Sequence, residues 1–158
     1  MAMAQEYIGY GFAVDDISDE GLLNFVKTQD PDIYREFVKD IYEGEDPDSL
    51  TDEDYEDLQT AIWEWIEFTT SEGDVAHYIA ATLCSKTCPN LFVSPNGIHV
   101  VYPATQFLED VTEKHRELIK NEIDVQNLIC SYFPDEKITF GRIWLHVSDW
   151  IEPNYCMD

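Results

Sequence analysis

The sequence predicts an α+β fold in a single domain: a small antiparallel sheet of about four strands with amphipathic helices packed on it. Three observations predict it. Apolar residues recur at helical spacing through residues 18–86 and 109–133, β-rich segments stand at residues 6–14 and 138–147, and Ser94-Pro95-Asn96-Gly97 marks a turn between two more β-rich runs. A chain of 158 residues has the common size of one domain, and no repeat, low-complexity run or linker interrupts it. One domain over residues 1–158 follows.

Glu6 to Val14 (EYIGYGFAV) joins aromatic and β-branched residues to Gly9 and Gly11, the pattern of a strand whose glycines permit a bulge or close packing. Ser18 is placed to cap a short helix with Leu22, Leu23, Phe25 and Val26 on its apolar side. Asp30-Pro31 restarts the chain with proline at a first helical position, and Ile33, Tyr34, Phe37, Val38 and Ile41 keep helical spacing to about Tyr42. Thr51 and Asp54 have the form of a capping box that opens a helix reaching about Phe68. At 100° per residue, Tyr55, Leu58, Ile62, Trp65 and Ile66 fall on one of its faces.

Val75, Tyr78, Ile79, Thr82 and Leu83 predict a further helix to about Lys86, although its β-branched content also fits a strand. Leu91 to Val93 and Ile98 to Tyr102 form a hairpin across the Pro-Asn-Gly turn. Residues from Glu109 to Phe133 read as one long helix, or as two with a break near Asn121 to Asp124. Pro134-Asp135 ends it, Ile138 to Val147 gives the last strand, and Asp149 to Asp158 is a tail.

Charge is the most informative property of the chain. Its 33 acidic residues against 9 Lys and Arg give a formal net charge of −24, yet 44% apolar and 13% aromatic content is too rich for disorder. From Asp40 to Asp57 there are ten carboxylates in eighteen residues, and no Lys or Arg stands between Lys39 and Lys86. Self-repulsion on this scale opposes the compact state, so a use for the charge is expected; solubility is the plainer alternative. The field repels nucleic acid and anionic membranes, and it attracts the basic surfaces of proteins that hold nucleic acid. Direct nucleic-acid binding and membrane binding are thus not expected.

Other chemistries find little support. The N-terminal segment lacks a basic region and a long apolar run, and no stretch nears 18 apolar residues, so a cytoplasmic protein with four reduced cysteines is expected. The acidic segment DPDSLTDEDYED lacks the glycine of a calcium loop, and Cys84, Cys88 and His77 lack a second pair of zinc ligands. Neither metal nor cofactor is expected. His77, His99, His115 and His146 are scattered, and no G-x-S-x-G or H-E-x-x-H motif is present, so the chain does not read as an enzyme.

What remains is electrostatic. Glu53, Glu56, Asp57, Glu64 and Glu67 fall within an arc of about 100° on the helix that begins near Asp52, and the ridge is about 21 Å long. With Asp52 and the preceding acids Glu43, Glu45, Asp46 and Asp48 they form the predicted partner-binding surface. In size, acidity, aromatic richness and lack of catalytic motifs the chain resembles the small acidic inhibitors that phages and mobile elements direct against restriction and CRISPR enzymes. The resemblance is one of class and carries over no residue. It implies a nucleic-acid mimic that occupies the basic site of a nuclease or defence complex; the alternatives are an immunity protein against a basic toxin nuclease, and a small ligand-binding domain or enzyme whose acidity serves solubility. Trp63, at the flank of the apolar face, is expected to be exposed in a homodimer seam or a partner interface.

Overall fold

The computed structural model describes residues 6–42, 50–70, 74–87, 91–94, 97–103 and 112–146. In chain order the elements are β1 (Glu6–Phe12), a 3-10 turn (Val14–Asp16), α1 (Asp19–Gln29), α2 (Pro31–Ile41), α3 (Asp52–Thr69), α4 (Val75–Thr87), β2 (Phe92–Ser94), β3 (Gly97–Pro103), α5 (Thr112–Tyr132) and β4 (Gly141–His146). The strands form one antiparallel sheet in the order β2-β3-β1-β4, with the helices packed on it. This is the α+β architecture read from the sequence, including the N-terminal strand, the hairpin and the C-terminal strand.

Local chemistry starts α1 to α4. Ser18 Oγ accepts from the Gly21 amide at 3.0 Å ahead of α1, and Pro31 opens α2. At α3 the capping box is complete: Thr51 Oγ1 accepts from the Asp54 amide at 3.2 Å while Asp54 Oδ2 accepts from the Thr51 amide at 2.9 Å. Asp74 Oδ1 accepts from the His77 amide at 2.8 Å, so the segment from Val75 enters a helix and not a strand. The apolar faces then meet in one core built from Leu22, Phe25 and Val26 of α1, Phe37 and Val38 of α2, Leu58, Ile62 and Ile66 of α3, Ile79 and Leu83 of α4, and Ile129 of α5.

β1 lies inside the sheet, paired with β3 from Tyr7↔Pro103 to Phe12↔Ile98 and with β4 from Glu6↔His146 to Gly11↔Gly141. Both ladders run without a skipped residue. Gly11 therefore serves close packing, not a bulge: a Cβ there would stand 1.9 Å from the Ile98 carbonyl oxygen. Phe12 enters the core from the helix side of β1, and the Tyr10 hydroxyl on that side donates to Gln126 of α5. Arg142, the register partner of Tyr10, reaches Glu122 of α5 from the same face. His99 pairs with Gly11 on the opposite face and is 3% exposed.

One open alternative is resolved and two readings change. α5 runs unbroken from Thr112 to Tyr132, because Glu122 in the middle of the doubtful stretch turns inward to Arg142 while Ile123 turns out. β4 begins at Gly141 and not at Ile138: Ile138 and Phe140 pack on the core first, with Phe140 against the rings of Tyr10 and Phe12 at 6.0 and 5.5 Å. Cys84 is disulfide-bonded, against the expectation of four reduced thiols, whereas Cys130 is a free and exposed thiol. Oxidation depends on two sulfurs coming within reach in the fold, which an argument from compartment does not test. The expected tail from Asp149 lies outside the described residues. Among the described residues, no helix is long and apolar enough to cross a membrane.

Candidate functional site: the acidic face of α3

The outward face of α3 is set by what its inward face buries. Leu58, Ile62 and Ile66, spaced by four, are fully buried, and Tyr55 and Trp65 flank them, partly buried. Four polar contacts then fix the rotation of the helix about its axis. Trp65 Nε1 donates to Asp40 Oδ2 at 2.9 Å, and its ring meets Phe37 edge-on at 5.2 Å. The Tyr42 hydroxyl lies 3.2 Å from both Asp57 Oδ2 and the Asp54 carbonyl. Lys27 Nζ donates to the Tyr55 hydroxyl at 3.2 Å and sits 5.0 Å from that ring and 5.8 Å from the ring of Tyr34.

With the inward face so held, Glu53, Glu56, Glu64 and Glu67 are exposed on the opposite side; Asp57, also exposed, closes that arc on the Tyr42 side, and exposed Asp52 stands beside the buried stripe, about 40° from Ile66. The five predicted ridge acids keep an arc of about 100°, and about 21 Å separates Glu53 from Glu67 along the axis. α3 contains no Lys or Arg. Lys27, which reaches α3 at Tyr55, is committed to two tyrosine rings. Two further acids of the segment have internal duties, Asp40 at Trp65 and Asp54 in the capping box. Glu43, Glu45, Asp46 and Asp48 lie outside the described residues, so the structure brings together six of the ten predicted surface residues on one helix.

One residue that sequence reasoning passed over belongs to this face. Phe68 is 81% exposed, the largest exposure of any large apolar side chain described. It stands one turn beyond Glu64 and next to Glu67. The signal was present: at 100° per residue Phe68 falls about 20° from Asp57 and about 40° from Glu64, outside the apolar stripe. Trp63, expected at an exposed seam, is instead partly buried and packed against the core. At 100° per residue it stands beside the stripe, close enough for a ring of that size to reach the interior.

Chemistry of other kinds is not assembled here. Among the described residues, no three His, Cys, Asp or Glu side chains converge as metal ligands. The His77 ring, a candidate zinc ligand by spacing, lies 2.7 Å from Asp74 Oδ1 in the cap of α4. What the face can do is present a rigid row of negative charges that ends in an exposed aromatic ring. Comparison of the chain with protein-family models, with curated proteins and with solved structures finds no match.

Proposed function

We propose that the protein is a non-enzymatic acidic inhibitor that acts as a nucleic-acid mimic, placing the outward face of α3 in the basic DNA- or RNA-binding site of a nuclease or defence complex. The observation that carries this reading is the geometry of α3: exposed carboxylates in one arc of a helix that has no base of its own and is pinned on its other side. Duplex DNA carries a charge per about 1.7 Å of axis, and a row of carboxylates on a rod competes for the same Lys and Arg side chains. The net charge of −24 speeds encounter with such a site and disfavours acidic partners. Phe68 gives the face an apolar anchor, the feature that separates a docked protein from a loose counterion.

The test is retention of a nucleic-acid enzyme on the immobilised protein at low salt, with release by duplex DNA. Glu53→Lys, Glu56→Lys and Glu64→Lys together should abolish retention while leaving the circular dichroism spectrum unchanged, and Phe68→Ala should weaken it at every salt concentration. Retention that survives the triple reversal sinks the proposal.

A further inference from the structure

Among the described residues the sheet has two edges, β2 and β4. β2 has only three residues, whereas β4 runs for six. Every second residue of an edge strand turns its amide and carbonyl away from the sheet, and such an edge is commonly blunted by proline, lysine, a bulge or an inward charge. β4 contains no proline and no lysine, and its ladder with β1 has no bulge. Its inward charge, Arg142, is drawn onto α5 by Glu122.

Two of the four exposed large apolar side chains flank that ion pair. Trp144, two residues on from Arg142 and so on the same face of β4, is 58% exposed, and Ile123, next to Glu122, is 51% exposed. Trp144 stands in register with the buried Ile8, which places its ring on the helix side of the open edge. Val125 and Tyr132 pack toward the core from α5, and Ile123 lies about 160–180° round the helix from both, on the side away from the core.

This flank departs from the acidity of the chain. The residues three, four and seven positions either side of Ile123 are Arg116, Ile119, Lys120, Gln126, Asn127 and Cys130, with no acid among them. Arg116, Lys120, Asn127 and Cys130 are exposed. Glu117 and Asp124 fall about 100° or more round the helix from Ile123. Screening cuts the reach of exposed charges to about 8 Å at physiological salt, so a partner docked here is governed by this local surface.

We propose that the β4 edge and this flank of α5 form the seam of a homodimer, in which β4 pairs antiparallel with β4 of a second copy. Antiparallel strands pair about a two-fold axis normal to the sheet, so the two four-stranded sheets become continuous and the two α5 helices come onto the same side, running in opposite directions. The basic end of one row, Arg116 and Lys120, then meets the neutral end, Asn127 and Cys130, of the other. The strip thus complements itself, and it lets two chains of net charge −24 meet without setting acid against acid. A six-residue strand is about 20 Å long, which puts the seam at the small end of protein interfaces and its affinity in the micromolar range. The proposal stands apart from the α3 reading and survives if that reading fails.

The experiment is sedimentation velocity of the full chain over a range of micromolar concentrations, with salt raised from about 0.05 M to about 0.5 M. The dimer fraction should rise with concentration and also with salt, because screening relieves the repulsion between two acidic chains; docking through α3 has the opposite salt dependence. Trp144→Glu and Ile123→Glu, which place an acid in the seam, should each weaken association by about tenfold or more, with circular dichroism reporting that the fold is kept. Both side chains are largely exposed, and should one variant fail to fold the other carries the test. Phe68→Ala on α3 should leave association unchanged. A monomer at the highest salt and concentration overturns the proposal, as does a dimer that tolerates both seam variants or is lost with Phe68→Ala.

Discussion

Arg142 on β4 grips Glu122 of α5 with two parallel hydrogen bonds, Nε to Oε2 at 2.8 Å and Nη2 to Oε1 at 2.6 Å. The two ends of this bridge are unequal: the Glu122 side chain is 3% exposed, the Arg142 side chain 42%. Removal of the arginine takes the bidentate bridge from a buried carboxylate, a loss below the about 3–5 kcal/mol of fully buried pairs because the Arg142 end is partly solvated. Arg142→Ala should therefore lower stability far more than Glu122→Gln, which removes the buried charge as well. Urea denaturation of both variants checks the order; equal losses would show that the bridge is not what docks α5 on the sheet.

Gly21 sits inside α1, where glycine costs about 1 kcal/mol relative to alanine. The reason lies across the chain: a Cβ at that position would stand 1.9 Å from Glu136 Oε1 and 2.8 Å from its Cγ. Gly21→Ala should thus give no net stabilisation in the natural chain, because Glu136 must leave Ser18. In a Glu136→Ala background the same change should stabilise by about 0.5–1 kcal/mol. A thermal-denaturation double-mutant cycle reads the difference directly, and additive effects would refute it.

Thr51→Ala should cost about 1 kcal/mol, the usual loss for a helix N-cap. The damage should be local as well. The first turn of α3 carries Asp52 and Glu53, so faster hydrogen exchange is expected at the amides of Asp54 and Tyr55 while those of Ile62 and Ile66 keep their protection.

Burial lowers the His99 imidazole from 6.5 to about 4, opposed in part by a hydrogen bond with the Gly97 backbone. Its Nδ1 has no partner among the described residues. The folded state holds this ring neutral, while the unfolded chain takes up a proton near pH 6.5. The stabilisation is present above pH 6.5 and is lost as pH falls toward 4, on the order of 3 kcal/mol over that window. Between pH 7 and 5.5, before most carboxylates titrate, about 1 kcal/mol of it should go. His99→Leu should flatten that slope in urea midpoints; an unchanged slope would place the titration on another histidine.

The helix starts were legible because each depends on residues three or four apart: Ser18 with Gly21, proline at Pro31, Thr51 with Asp54. The ridge was legible for a similar reason, since a period of 3.6 assigns both faces of α3 once one is known. Sheet order was not, because it rests on pairings such as Tyr10 with Val100 and Arg142, far apart in the chain. The inward turn of Glu122 was hidden in the same way: a lone glutamate on a charged helix looks solvated until Arg142 arrives from β4. Phe68 shows a different failure. Its place on the acidic face follows from the projection, but an apolar residue near a helix end reads first as a boundary.

The position of β1 between β3 and β4 sets an order of events during synthesis. Its residues leave the ribosome before those of either neighbour, so one edge must wait for β3 and the other for Gly141 to Leu145. At 5–20 residues per second the second wait is on the order of ten seconds, during which an aromatic-rich strand offers open backbone groups to any neighbouring chain. The acidic run from Asp40 to Asp57 emerges within that interval. Nascent copies on one message would then repel each other through it, so the same charge guards the half-made sheet against pairing with its siblings.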